Sequence, residues 1–235
     1  MKLFAGLVGA LTLASTAQAA TFDAFASFDG TQGAGHFSYL RMPAGPGDPA
    51  VLLTAPSGNC VVTSDYCLQD GGALPGVYKA LTAHAEGTYF VPDDQLLVHP
   101  GASNPIGIFF TAPQDGVYDY TVVFNVLDSS PSGVALVGVT NAGGVVGATP
   151  LGGLNANLLT LTRTGSVSLT QGQFFGLIVN AAGSYSNDST GVNFTLTTGG
   201  VPEPAAWALM VLGFGGAGAI LRRMRPDQGR PSLAV

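Results

Sequence analysis

Val117-Tyr118-Asp119-Tyr120-Thr121-Val122-Val123-Phe124-Asn125-Val126 is a run of aromatic and β-branched residues, with Gly116 before it and Asp128-Ser129-Ser130-Pro131 after it. Such side chains fit a pleated, half-buried surface, and the flanking turn formers close the run at both ends, so it reads as a strand. Downstream, 134–140, 158–164, 166–169, 174–180 and 192–198 carry the same signature; upstream, 22–28, 36–42, 77–83, 88–91 and 106–111 do. No stretch of this central part shows an apolar helical stripe flanked by caps, and no fixed-period repeat suggests a solenoid or propeller. Short strands separated by Gly, Pro and Asn turns predict a single all-β antiparallel sandwich.

Composition agrees with a folded core. The chain has 235 residues, 46% of them hydrophobic and 9% charged, with 34 Gly, 15 Pro and a net charge of -6. Charge this sparse, with a mean hydropathy of +0.36, excludes a disordered solvating chain. The acidic balance argues against a nucleic-acid binder held by phosphate contacts.

The two ends read as addresses. Residues 1–19 have Lys2, an apolar stretch from Leu3 to Leu13, and Ala17-Gln18-Ala19 as a small-x-small cleavage site, the pattern of a secretory signal peptide. At the other end Val201-Pro202-Glu203-Pro204 precedes an apolar run at 205–221 and then Arg222-Arg223-Met224-Arg225. As a helix those 17 residues reach about 25 Å, slightly short of a hydrocarbon core of about 30 Å. Trp207 falls near one interface, and the arginines following the run predict a cytoplasmic C-terminus. Residues 226–235 then form a short cytoplasmic tail.

The order Pro-Glu-Pro, apolar helix, basic cluster over 201–225 resembles the PEP-CTERM sorting signal of Gram-negative bacteria. The resemblance implies that an exosortase, a membrane cysteine transpeptidase, recognises Pro202, Glu203 and Pro204 and removes the tail, with Arg222, Arg223 and Arg225 as its basic cluster. With signal peptidase acting at the other end, it implies transient anchoring in the inner membrane and then release to the cell surface or extracellular matrix. Such proteins tend to occur in bacteria that export polysaccharide and build biofilm. The extra 226–235 depart from the pattern, since most such tails stop soon after the arginines.

What lies between, 20–200, holds three basic residues (Arg41, Lys79, Arg163) against twelve acidic ones, a net charge of -9. The layout Phe28-Asp29 to Phe37-Ser38-Tyr39, then Leu97-Val98-His99-Pro100-Gly101, then Phe110-Thr111-Ala112-Pro113-Gln114-Asp115-Gly116-Val117-Tyr118, closing on Ser186-Asn187-Asp188-Ser189-Thr190-Gly191-Val192, is similar to a jelly-roll-like domain of secreted bacterial proteins. That resemblance implies the fold and names no ligand.

Candidate sites within the domain are sparse. Cys60 and Cys67 are the only cysteines, and an exported chain meets an oxidising compartment, so a structural disulfide is expected; a redox pair would want Cys-x-x-Cys. His36, His84 and His99 show no zinc spacing; no Gly-x-Ser-x-Gly or Ser-x-x-Lys occurs, and Glu86 is the only glutamate of 20–200. No catalytic residue is assigned, and the chain reads as no enzyme. No metal is assigned either, although calcium binds hard oxygen ligands, for which Asp93, Asp94 and Asp188 are weak candidates beside Asp65 with Asp70. Tyr39, Tyr66, Tyr78, Tyr89 and Tyr185 are the rings for sugar stacking; the single tryptophan is in the tail. The alternating threonines at 160–164 and 195–198 are ordinary strand chemistry, each confined to one strand, and do not make an ice-binding array.

These readings predict an exported, non-catalytic surface or matrix protein with a structural or interaction role, partnered by exopolysaccharide or surface proteins. The alternative is a carbohydrate-binding module, with or without calcium, and a secreted hydrolase stands behind both.

Overall fold

The run around Tyr118 forms an eleven-residue strand, Gly116–Val126. Tyr118, Val122 and Phe124 point to the core with no exposed surface, while Val117, Asp119 and Thr121 face solvent. The turn before it is pinned by the Tyr118 hydroxyl, which donates to the Gln114 carbonyl at 2.7 Å, a corner bond known from other sandwiches. The computed structural model describes residues 19–45 and 48–199.

In chain order the described elements are β1 (Thr21–Asp23), the one-turn helix α1 (Ala24–Ser27), β2 (Phe37–Arg41), β3 (Val51–Leu52), β4 (Tyr66–Asp70), β5 (Ala73–Lys79), β6 (His84–Glu86), β7 (Tyr89–Val91), β8 (Leu96–His99), β9 (Ile106–Thr111), β10 (Gly116–Val126), β11 (Val134–Thr140), β12 (Gly147–Leu154), β13 (Thr160–Leu169), β14 (Phe174–Ala181) and β15 (Thr190–Thr198). They pair antiparallel in two sheets. The first runs β13-β10-β15-β8-β5-β4, with β1 beside the far stretch of β15; the second runs β12-β11-β14-β9-β2-β3. A separate hairpin joins β6 and β7. The connections β8–β9, β10–β11, β12–β13 and β14–β15 each cross between the sheets, so β8, β15, β10 and β13 of one sheet are matched by β9, β14, β11 and β12 of the other.

Aromatic rings fill the space between. Phe37 and Phe110 of the second sheet meet Phe194 and Tyr118 of the first at centroid distances of 5.5 and 5.3 Å, and Phe175 packs on Tyr120 at 4.5 Å. These tilted and edge contacts add to the area that the rings bury. A smaller cluster of Val62, Cys67, Tyr78, Ala80, Val91 and Leu97 lies on the other face of β4, β5 and β8. The Cys60–Cys67 disulfide forms as expected and belongs to this second cluster. One half of the first sheet's outer face is therefore covered, while among the described residues nothing packs over the half built by β13, β10 and β15. Ala20–Gly199 is one compact unit with its own core, the condition for folding alone.

Some expected strands are corrected. Residues 22–28 are not one strand: after Asp23 the chain turns into α1, because the Asp23 carboxylate accepts from the Ala26 N–H at 2.9 Å and caps it. The two strands at 158–164 and 166–169 are one, β13, since Gly165 sits opposite Tyr120 and leaves room for its ring: a Cβ there would lie 2.6 Å from the Tyr120 hydroxyl. The strand placed at 77–83 begins earlier and ends at Lys79; beyond it the Leu81 N–H is taken by the Asp65 carboxylate at 2.6 Å.

Candidate functional site

The open half of the first sheet is built from alternation on three long strands. On β13, Leu161 and Leu169 face inward, and Thr160, Thr162, Thr164, Ser166 and Ser168 are exposed. The β10 and β15 registers continue these hydroxyls sideways: Thr164 lies opposite Thr121, which lies opposite Thr195, and Ser166 opposite Asp119, which lies opposite Thr197 and, through it, Thr21. Strand geometry spaces such side chains about 4.8 Å across the sheet and about 6.8 Å along it. The threonine runs that the sequence confines to single strands thus share one face.

Hydrogen bonds order this face. Ser166 Oγ donates to Asp119 Oδ1 at 2.5 Å, Thr160 Oγ1 donates to Asn125 Oδ1 at 2.9 Å, and Asn125 Nδ2 donates to Gln95 Oε1 at 2.8 Å. Gln95 lies over Gly191, where a Cβ would meet its Oε1 at 2.3 Å, so glycine at 191 is what lets the amide reach Asn125. Asp23 and Asp119 are the carboxylates in these rows, and no aromatic ring stands among them.

A second polar cluster lies where the β10–β11 and β14–β15 loops meet. Asp188 and Asp128 are buried, 2% and 7% exposed. Asp188 Oδ1 accepts from Ser132 Oγ at 2.6 Å and from the Gly133 N–H at 3.0 Å; Asp128 Oδ2 accepts from the Ser189 N–H at 2.6 Å. Each aspartate thus ties its own loop to the other. Burial pushes the Asp188 carboxyl above the usual carboxylate range, against the pull of the Ser132 and Gly133 bonds.

The other weighed residues are dispersed. Asp93 and Asp94 are exposed in the turn before β8. Asp65 caps Leu81 and Asp70 pairs with Arg41 at 3.5 Å, so these two do not share a site. Among the described residues no group of three His, Cys, Asp or Glu converges. His36 packs edge-on against Phe22, His84 Nδ1 lies 3.0 Å from the Thr82 carbonyl, and His99 Nδ1 lies 2.7 Å from the Pro100 carbonyl. Of the five tyrosines, Tyr39 and Tyr78 are wholly buried and cannot stack sugars, because they sit on inward or covered positions of β2 and β5. Tyr66 and Tyr185 are exposed. Burial, then Glu86, pushes the Tyr89 hydroxyl up to about 12. Ala17, Pro202, Glu203, Pro204, Arg222, Arg223 and Arg225 lie outside the described residues, as does the apolar run 205–221.

The sequence does not mark Ser132, Ser184 or Ser186 as site residues, Ser186 entering only within the closing stretch 186–192, yet Ser132 Oγ reaches the Ser184 and Ser186 carbonyls and Asp188 Oδ1. For Ser184 and Ser186 the signal is the density of Ser and Asn before Asp188; Ser132 has none, since it is 56 positions away from Asp188.

No family model matches this chain, and no curated protein does. Solved structures with partial likeness include the globular domain of zebrafish complement 1qA protein (16% identity, TM-score 0.27, covering 38% of this chain and 65% of that one). A GH26-CBM35 β-(1,4)-mannanase from Podospora anserina aligns at 20% identity and TM-score 0.31 over 55% of this chain and 28% of that one. A family 35 carbohydrate binding module from Clostridium thermocellum aligns at 15% identity and TM-score 0.29 over 52% of this chain and 98% of that one. The chain thus spans less than two thirds of the first two, and likeness at this level assigns neither family nor ligand.

Proposed function

We propose that this chain is an exported, non-catalytic jelly-roll domain of the cell surface or extracellular matrix, and that it contacts neutral exopolysaccharide through the open face of β13, β10 and β15. The jelly-roll reading rests on the crossing order of the eight strands from β8 to β15. The export reading rests on the secretory pattern of 1–19 and the sorting-signal resemblance of 201–225. The observation that carries the contact is the cross-strand array of hydroxyls around Thr121, Thr164 and Thr195. Hydroxyls both donate and accept, so they match a polyhydroxylated surface bond for bond. A face with few carboxylates, in a domain of net charge -9, meets a neutral polymer without the repulsion that an anionic one would feel. With no ring in the array, recognition is by hydrogen bonding rather than stacking.

The test is binding of the Ala20–Gly199 unit to the host's purified exopolysaccharide. The expected result is saturable binding that the double variant Thr121→Val, Thr164→Val weakens roughly tenfold or more, each hydroxyl contributing about 1 kcal/mol. Binding unchanged in the variant, or absent in the parent, overturns the assignment of the face.

A further inference from the structure

The loop cluster around Asp188 has too many oxygens for its protons. Ser132 Oγ stands 2.5 Å from the Ser186 carbonyl, 2.6 Å from Asp188 Oδ1 and 2.9 Å from the Ser184 carbonyl. A hydroxyl has a single proton to donate, so two of these three close oxygen–oxygen approaches have none between them. Independently, Asp188 Oδ2 is buried and has no hydrogen-bond partner. An ionised carboxylate there leaves an acceptor bare, and a protonated one leaves a donor bare. Asp128, also buried, adds a second acidic group close by, and neither aspartate has an ion pair among the described residues. Burying such charge uncompensated is strongly unfavourable.

We propose that this loop junction is a calcium site, in which Asp188, Ser132 Oγ and the carbonyls of Ser184 and Ser186 supply the protein's oxygens. All are hard donors of the type that calcium takes. The set mixes one carboxylate with carbonyls and a hydroxyl from two loops, and calcium accepts such irregular shells of six to eight oxygens, water completing them. Magnesium demands a near-ideal octahedron and keeps its own waters. The ion would hold the β10–β11 and β14–β15 loops together at one end of the sandwich. This site is separate from the hydroxyl face and does not depend on what that face binds.

The test uses the Ala20–Gly199 unit stripped with EDTA, with its thermal midpoint followed against added calcium or magnesium. Calcium at tenfold its dissociation constant is expected to raise the midpoint by roughly 3–6 °C, with magnesium leaving it nearly unchanged. Ser132→Ala and Asp188→Asn are expected to abolish the response. Terbium provides a readout that needs no unstable variant: bound in this cluster it is excited through Tyr185, which lies between two of the ligand residues, and Tyr185→Phe dims it. A parent unit that responds to neither calcium nor terbium overturns the site. A calcium response that survives Ser132→Ala, or Asp188→Asn where that variant folds, places the ion elsewhere and overturns it equally.

Discussion

Lys79 shows how a single residue holds the start of the chain to the sandwich. Its side chain is almost wholly buried, yet no acid pairs with it among the described residues. Its ammonium instead donates to the carbonyls of Phe25 at 2.7 Å and Phe28 at 3.0 Å, with that of Ala26 at 3.5 Å. It also sits 4.6 Å above the Phe25 ring, where the ring quadrupole attracts a cation. Three donors on an ammonium meet three carbonyls of α1 and its exit, so the buried charge is compensated by backbone dipoles. Lys79→Met keeps the stem and removes the donors, and is expected to destabilise the domain by about 2–4 kcal/mol in urea denaturation, as lost hydrogen bonds to a charged group do. A loss below about 0.5 kcal/mol would refute this role. Nothing local in the sequence announces it. The partners lie more than fifty positions upstream, in a segment whose Phe22–Phe28 alternation reads as a strand until Asp23 caps a helix.

At the scale of strands, the two sheets solve the problem of their outer faces differently. On the second sheet Phe109 lies across two glycines: a Cβ at Gly176 would fall 2.4 Å from its ring, and one at Gly107 2.5 Å. The ring thus replaces the missing side chains and shields the strands beneath, and Phe174 meets it edge-on at 5.2 Å. Gly176→Ala is expected to cost about 1–3 kcal/mol by pushing this ring off its seat, measurable as a lowered denaturation midpoint; an unchanged midpoint would mean that Phe109 moves freely. Strands dense in aromatic and β-branched residues are legible in the sequence: β9 and β11 match their expected bounds, and β14 and β15 nearly so. β12 is not legible, because Gly147-Ala148-Thr149-Pro150-Leu151-Gly152-Gly153-Leu154 holds three glycines and a proline and Thr149 as its one β-branched residue. It is an edge strand, bonded to β11 alone in its sheet, where proline can be tolerated. The candidate face was half legible. Its period-two threonines are visible in the sequence, but only long-range register places Thr121 between Thr164 and Thr195.

For the molecule as a whole, the same burial of aromatics that builds the core sets its limit in alkali. Tyr39 and Tyr78 are fully buried, and in both, loss of water around the ring is the main cause that drives the hydroxyl far above its ordinary value. For Tyr39 the nearby Asp29 and Asp23 add to the rise; for Tyr78 the bond from Gln69 Nε2 at 2.9 Å opposes it. An unfolded tyrosine titrates near 10. Below that pH both states hold the proton and stability does not depend on these groups. Above it the unfolded chain releases protons that the folded chain keeps, so stability falls as pH rises. Each such tyrosine steepens the fall by about 1.4 kcal/mol per pH unit. Denaturant unfolding measured in steps from pH 8 to 12 is therefore expected to show little tyrosine-dependent change up to about pH 9 and a steep decline beyond 10. Tyr39→Phe removes one titrating group, and its decline should be shallower by one proton's worth of slope even if its stability at neutral pH is lower. Equal slopes in parent and variant would show that Tyr39 gives up its proton within the fold, and that the sandwich interior admits water at that depth.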